Sequence, residues 1–327
     1  MDGAPLVQLF RFGSPWSAWL FYFTVSWLLA WSAYWSVRVV RPGLDWGWPR
    51  LLGVALVLWP FVQTAHSVFL DIAFVIDPTS RLDPVPPEVF WIVIERRLWQ
   101  HVLLPLFGLY LAFGHHERAF GRVSIGRRVV RTLSAVDVWP RRGWLRDTMH
   151  GLWLFVAVFI GYLLMAWALS PITRRLENGD ESQAFAEVGP LLAVALAFTA
   201  GITEEILFRG ILQTRLAKVM PVAIAVVLQG VFFGLAHSGY GTWAHILLPL
   251  LLGTALGAIA LWSGVWPLII VHIGIDLVLF LATAADNGTP WAGVLALTLI
   301  PAALLPPTLY FGWHWARGRG PDDQPMT

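Results

Sequence analysis

Long apolar runs recur along this chain, and they restrict the fold more than any other feature of the sequence. A helix needs about 20 consecutive apolar residues to cross the hydrocarbon core of a bilayer. Segments of this length satisfy their backbone groups in lipid by forming helices, whose hydrogen bonds are internal. The candidate spans predicted from these runs lie at residues 16–36, 51–76, 98–114, 151–170, 190–214, 221–237, 244–262, 266–284 and 291–314.

The composition agrees with a membrane protein. Of the 327 residues, 57% are apolar and only 13% are charged, whereas soluble domains carry charge on about a quarter of their residues. The 20 Trp residues suit belts at the two membrane interfaces. We therefore predict an all-α fold, a polytopic transmembrane helical bundle of about eight or nine spans.

The charged residues between the apolar runs predict a topology. Basic residues follow the first, third, fifth and last spans, whereas the loop at 171–190 is net acidic. Cytoplasmic loops of membrane proteins carry an excess of Lys and Arg, so we expect the N-terminus outside and the C-terminus in the cytoplasm. A single Lys among 22 basic residues favours a bacterial inner membrane as the location, and the net charge of +2 gives no indication of nucleic-acid binding.

An Arg-rich segment at residues 117–147 divides the chain. We expect residues 1–150 to hold N-terminal transmembrane spans together with this cytoplasmic Arg-rich loop. A second group of spans fills residues 151–317, and the polar end at 318–327 is predicted to be disordered. The polar clusters described next all fall within residues 191–280.

Three ionisable side chains lie inside the fifth apolar run, in the sequence TEEILFRG. Charges at such a depth cost about 3 kcal/mol each on insertion scales, and they mark functional sites. Glu205 and Arg209 are four residues apart, so on a helix they share a face and can form an ion pair. Glu204 is left over, and a carboxylate held in a partly dry site beside another carboxylate suits a general base.

Two further apolar runs carry polar residues at the same spacing. Phe233 and His237 share a helical face in FGLAH, and His272 and Asp276 share one in HIGID. An antiparallel hairpin would place Glu204 and His237 about 21 and 24 Å from its turn, at about 1.5 Å per residue. Asp276 is placed to orient the imidazole of His272 and to fix its tautomer. Together the three clusters predict one shared polar site.

The motifs EExxxR, FxxxH and HxxxD resemble those of the CPBP family of intramembrane proteases, also called the Abi or CAAX-protease-like family. The resemblance covers residues 191–280 and implies a protease core within residues 151–317. It implies that the chain is an endopeptidase that hydrolyses a peptide bond inside the membrane. The residues that it assigns are Glu204, His237, His272 and Asp276 as catalytic, and Glu205, Arg209 and Phe233 as supporting.

Asp276 departs from the CAAX endopeptidase branch of the family, which has Asn at this position. An Asn amide donates a hydrogen bond to an oxyanion, and an ionised Asp does not. A charged Asp276 would instead orient His272, and only a protonated one could donate.

Two forms of the chemistry stay open at this point. The resemblance to the CAAX endopeptidase favours a form in which a glutamate activates water and no cofactor is bound. In the alternative, Glu204, His237 and His272 hold a Zn²⁺ ion with one position open for water. The chain contains no Cys, which excludes a thiol nucleophile, and it contains none of the HExxH, GxSG or GxGD motifs of other intramembrane proteases.

The predicted partners follow from the depth of the site. A site within the bilayer reaches a membrane-embedded or lipidated protein substrate, so the lipid bilayer is the second partner. Two other functions stay open, namely a non-catalytic membrane scaffold or bacteriocin-immunity protein of the same family, and a proton-coupled transporter that uses Glu and His as a relay. The intact Glu204, His237 and His272 disfavour the scaffold, and the crowding of motifs into one half disfavours the transporter.

Overall fold

The computed structural model describes residues 15–40, 47–76, 98–114, 125–176, 190–237, 244–286 and 289–317. Their regular secondary structure is entirely helical, as predicted, with turns between some of the helices, and no strand occurs among them. The predicted disordered tail at 318–327 and most of the acidic loop lie outside the described residues. In chain order the helices are α1 Pro15–Val40, α2 Trp48–Ile76, α3 Leu104–Gly114, α4 Ile125–Ala135, α5 Trp144–Leu176, α6 Pro190–Glu204, α7 Val222–Leu235, α8 Ala244–Ser263, α9 Val265–Asp286 and α10 Pro290–Ala316.

Two π-helical segments interrupt this pattern. Leu98–Leu103 precedes α3, and Glu205–Gln213 continues α6 before a last α-turn at Thr214–Leu216. In a π-helix the backbone bonds run from residue i to i+5, and such segments often lie at functional sites. The second of them carries Glu205 and Arg209.

Five segments of the described chain are long and apolar enough to cross a membrane: Trp144–Ile172, Leu191–Leu216, Ile246–Ser263, Val265–Ala285 and Pro290–Ala316. The predicted spans at 16–36, 51–76, 98–114 and 221–237 are not among these five. The last of these four was predicted too long. Its helix, α7, has 14 residues and measures about 21 Å at about 1.5 Å per residue, which is shorter than the hydrocarbon core of about 30 Å. The sequence predicts His237 inside a helix, but the residue lies two positions beyond the end of α7.

The helices pack in two groups that meet at the second π-helical segment. Helices α1, α2 and α3 contact each other in order, while α9 packs against α5, α6 and α10, and α7 packs against α8. One buried cluster joins the groups, because it contains Val102 and Leu109 from the first group together with Ile206, Ile211 and Ile269 from the second. The N-terminal helices therefore support the segment that carries the acidic motif.

A close approach of two backbones brings α6 to α9. A Cβ atom added at Gly201 would lie 2.8 Å from the backbone nitrogen of Ile273, so only glycine permits this crossing. Small residues at such positions let membrane helices approach closely. Glu204 follows Gly201 by three residues and His272 precedes Ile273 by one, so the crossing places both motifs side by side.

The end of the Arg-rich segment caps the turn between α8 and α9. Arg141 Nη1 donates to the carbonyl of Leu261 at 3.1 Å, and Arg142 Nη2 donates to the carbonyl of Trp262 at 3.5 Å. Trp144, at the start of α5, packs edge-on against Trp266 at the start of α9, with 4.5 Å between ring centroids. Arg and Trp thus share one end of the bundle, the arrangement expected for the basic face of a membrane protein.

Candidate active site

The predicted ion pair between Glu205 and Arg209 is present and fully buried. Arg209 Nη1 donates to Glu205 Oε1 at 2.7 Å, and both side chains have no solvent exposure. A buried ion pair is maintained only when further hydrogen bonds compensate for the loss of water. Arg209 Nη2 donates in addition to the carbonyl of Gly253 at 3.2 Å, and its guanidinium carbon lies 4.3 Å from the centre of the Phe233 ring, a cation–π contact.

Glu205 has a second partner that the sequence did not reveal. His272 Nδ1 lies 2.8 Å from the same Oε1 atom. A carboxylate bound to Arg209 is ionised and can only accept hydrogen bonds, so the proton of His272 is on Nδ1. This bond fixes the tautomer and directs Nε2 into the site.

Asp276 contacts the opposite side of the His272 ring. Its Oδ2 lies 3.6 Å from Nε2, which is longer than a hydrogen bond of 2.7–3.2 Å. The expected orienting role of Asp276 on His272 is therefore carried by Glu205 in this structure. Asp276 instead places a carboxylate beside the nitrogen that faces the site.

His237 is held in the same manner by a backbone group. Its Nδ1 lies 2.7 Å from the carbonyl of Phe233, which accepts the Nδ1 proton, so Nε2 is again the nitrogen that faces the site. The contact joins two residues four apart, as the predicted shared face requires. His237 makes this contact although α7 ends two residues earlier, at Leu235.

Glu204 lies between the two imidazoles. Its Oε2 is 3.8 Å from Nε2 of His237 and 3.8 Å from Nε2 of His272. The side chain of Glu204 is 18% exposed and that of His237 is 21% exposed, whereas His272 is 5% exposed. The two neighbouring carboxylates thus differ in environment, since the side chain of Glu205 is fully buried and that of Glu204 is partly exposed.

Phe233 packs against both histidines. Its ring centroid lies 4.8 Å from that of His237 and 5.8 Å from that of His272. Phe208 meets it edge-on at 5.2 Å. Phe233 is 1% exposed, so its buried ring is the apolar surface against which both imidazoles pack.

The predicted zinc ligands were tested against this geometry. Zinc lies about 2.0–2.2 Å from His and carboxylate atoms in a tetrahedral site, which puts ligand atoms about 3.4 Å apart. Glu204 Oε2 is 3.8 Å from each imidazole nitrogen, and no three His, Asp or Glu side chains of the described ranges are arranged as a metal site. The glutamate form and the zinc form of the chemistry both stay predictions, and the mechanism below is built from the chain's own groups.

The structure brings all seven predicted residues into one cluster. It adds groups that the sequence reasoning missed, namely the amide of Gln229 and the backbone carbonyl of Gly253. Gln229 is the one polar side chain in the apolar sequence VAIAVVLQGVFFGL of α7, and that isolation was the signal available to find it. The carbonyl of Gly253 gives no signal in the sequence.

Comparison with known proteins agrees with the motifs. Residues 186–278 match the family model described as Type II CAAX prenyl endopeptidase Rce1-like. This match confirms the resemblance to the CAAX protease family, and it includes all seven residues of the cluster, although it covers less than a third of the chain. No curated protein and no solved structure matches the chain.

Proposed function

We propose that this integral membrane protein is an intramembrane endopeptidase that hydrolyses a peptide bond in a membrane-embedded or lipidated protein substrate. One observation carries the proposal: Glu204 Oε2 lies 3.8 Å from the Nε2 atoms of His237 and His272. Atoms at this separation are each within reach of one water molecule, since a water makes hydrogen bonds of about 2.8 Å. The match to the Rce1-like family supports the same activity.

The first chemical step is the deprotonation of water by Glu204. The hydroxide oxygen attacks the scissile carbonyl carbon, and the proton stays on Glu204 Oε2. His237 assists by accepting a hydrogen bond from the water at Nε2, the nitrogen without a proton, because the Nδ1 proton is donated to the Phe233 carbonyl. General-base catalysis of this kind contributes about 10²- to 10⁴-fold to the rate.

The second step is the stabilisation and collapse of the tetrahedral intermediate. When His272 carries a second proton on Nε2 and is an imidazolium, it donates from Nε2 to the oxyanion, while Glu205 accepts the Nδ1 proton at 2.8 Å. Donors fixed in advance at the position of developing charge are the largest source of rate enhancement in many enzymes. Glu204 then returns its proton to the leaving amine, the C–N bond breaks, and the carboxylate is regenerated.

The burial of the site limits which peptides reach it. Glu204 and His237 are the partly exposed members of the cluster, and His272 lies behind them. We infer that the substrate enters on the side of Glu204 and His237 from within the membrane. The location that we propose is a bacterial inner membrane, because only one of the 22 basic residues is Lys. The proposed orientation has the N-terminus outside and the C-terminus in the cytoplasm, because the basic residues follow alternate predicted spans.

The proposed function is tested by comparing membrane proteomes. Cells that express the wild type and cells that express Glu204→Ala at the same level are analysed for new protein termini. We expect at least one membrane or lipidated protein to gain a terminus only with the wild type. Identical termini in both would favour the non-catalytic scaffold, and a pH-dependent solute flux lost in Glu204→Ala would favour the transporter.

Metal removal separates the two forms of the chemistry. We expect the purified protein to keep its activity after dialysis against EDTA and 1,10-phenanthroline, because the geometry of Glu204, His237 and His272 is wider than a zinc centre. The measurement is the cleavage rate of a membrane-anchored reporter, with total zinc determined in the same sample. A rate that falls with zinc content and returns when Zn²⁺ is added would establish the zinc alternative.

A further inference from the structure

A buried amide outside the three motifs lies next to the ion pair. Gln229 on α7 has no solvent exposure. Its Nε2 donates to the carbonyl of Gly253 on α8 at 2.7 Å and to the carbonyl of Val226 on its own helix at 3.1 Å. The two bonds of Nε2 hold the side chain in one orientation, while its Oε1 atom has no hydrogen-bond partner among the described residues.

The carbonyl of Gly253 joins this amide to the catalytic cluster. It accepts from Gln229 Nε2 at 2.7 Å and from Arg209 Nη2 at 3.2 Å. The absence of a side chain at Gly253 is required here, because a Cβ atom would lie 2.9 Å from Cδ1 of Phe233. This one backbone oxygen of α8 thus holds both the amide of Gln229 and the guanidinium of Arg209 in place.

A continuous chain of contacts runs from Gln229 to the reacting groups. Gln229 and Arg209 share the Gly253 oxygen, Arg209 and His272 share Glu205 Oε1, and His272 Nε2 lies 3.8 Å from Glu204 Oε2. These bonds connect the Gly253 carbonyl to the ring of His272 through Arg209 and Glu205, so a displacement of Gly253 is transmitted to that ring. Catalytic groups lose much of their rate when their supports shift them by about 1 Å.

We propose that Gln229 is a positioning residue of the active site. It holds the Gly253 carbonyl where Arg209 needs it, and Arg209 in turn aligns Glu205 and His272. This inference rests on the proposed endopeptidase function. Gln229 does not contact the substrate, because it is buried behind Arg209.

The chain supplies a matched control in Gln213. This side chain is also buried, and its Nε2 donates to the carbonyl of Gly257 on α8 at 2.9 Å, one helical turn beyond Gly253. The two glutamines therefore make the same kind of bond between helices. Only the carbonyl used by Gln229 also accepts from Arg209.

The test compares Gln229→Met with Gln213→Met in purified protein. Methionine keeps the volume of the side chain and removes the donor. We expect Gln229→Met to lower kcat by about tenfold, the value of one net hydrogen bond, with KM unchanged, and Gln213→Met to keep kcat within about twofold. Equal losses in both variants, or no loss in Gln229→Met, would overturn the proposal. Gln229→Asn, whose shorter amide cannot reach Gly253, replaces Gln229→Met if the latter does not fold.

A double-mutant cycle with Arg209→Lys distinguishes positioning from general packing. If Gln229 acts through the shared carbonyl, its effect on kcat largely disappears in the Arg209→Lys background, because residues in one network are not additive. Additive effects would contradict the proposal. Glu204→Gln is assayed in parallel, so that an inactive wild type or a fully active Glu204→Gln variant is recognised as failure of the proposed function and not of the role of Gln229.

Discussion

Glu204→Gln is expected to lower kcat by at least about a thousandfold, within the range for loss of a general base, and to leave the protein folded. The amide keeps the shape of the side chain and cannot accept the proton of the attacking water. Glu204 is partly exposed and its Oε2 lies 3.8 Å from each imidazole nitrogen, beyond hydrogen-bond distance, so we expect the fold to tolerate the loss of its charge. The measurement is the cleavage rate of a membrane-anchored peptide, together with the midpoint of thermal unfolding.

Glu204→Asp is the control for position. It keeps the carboxylate and withdraws it by one methylene, so we expect a rate between those of the wild type and Glu204→Gln. A Glu204→Gln variant that keeps more than about a tenth of the wild-type kcat would remove Glu204 from the role of base, because general-base catalysis contributes at least about a hundredfold.

The contacts that the sequence predicted are those within one helix. Residues four apart share a face whatever the tertiary structure, and this spacing identified the pair Glu205 and Arg209. The same rule joined His237 to Phe233, although the partner is the Phe233 carbonyl. Local periodicity therefore located most of the site before the fold was known.

The contacts that the sequence did not predict are those between helices. Glu205 and His272 are 67 positions apart, and periodicity carries no information at that separation. The sequence predicts that Asp276 orients His272, because that carboxylate lies on the same helix. The observed bond to Glu205 depends on the crossing of α6 and α9 at Gly201, which is decided by packing.

The π-helical segment was also beyond prediction from the sequence. Its residues, EILFRGILQ, suit an ordinary α-helix, and local propensity is a weak prior that tertiary contacts override. Gly210 marks one such contact, since a Cβ atom there would lie 3.0 Å from the carbonyl of Val136. The positions of the nine apolar runs could be read from the sequence. The lengths of their helices could not, because they depend on tertiary contacts between helices.

Glu205→Gln is expected to lower both stability and activity. The variant keeps an oxygen acceptor for Arg209 and His272 but removes the negative charge, which leaves the buried guanidinium uncompensated. Breaking a buried pair in this way costs about 3–5 kcal/mol, a large share of a stability of about 5–15 kcal/mol. We expect kcat to fall by about a hundredfold or more, since His272 loses the ionised partner that fixes its tautomer.

The double variant Glu205→Gln/Arg209→Met tests the loss of stability and the loss of activity separately. It removes both charges and fills the volume of Arg209 with an apolar chain, a change that is often neutral or stabilising for buried pairs. The free energy of unfolding, measured in mixed micelles, should therefore return close to the wild-type value. The cleavage rate should stay low, because the imidazole of His272 still lacks a carboxylate at Nδ1. If activity returned together with stability, Glu205 would be a structural residue only, and the proton of His272 would have to be placed by Asp276.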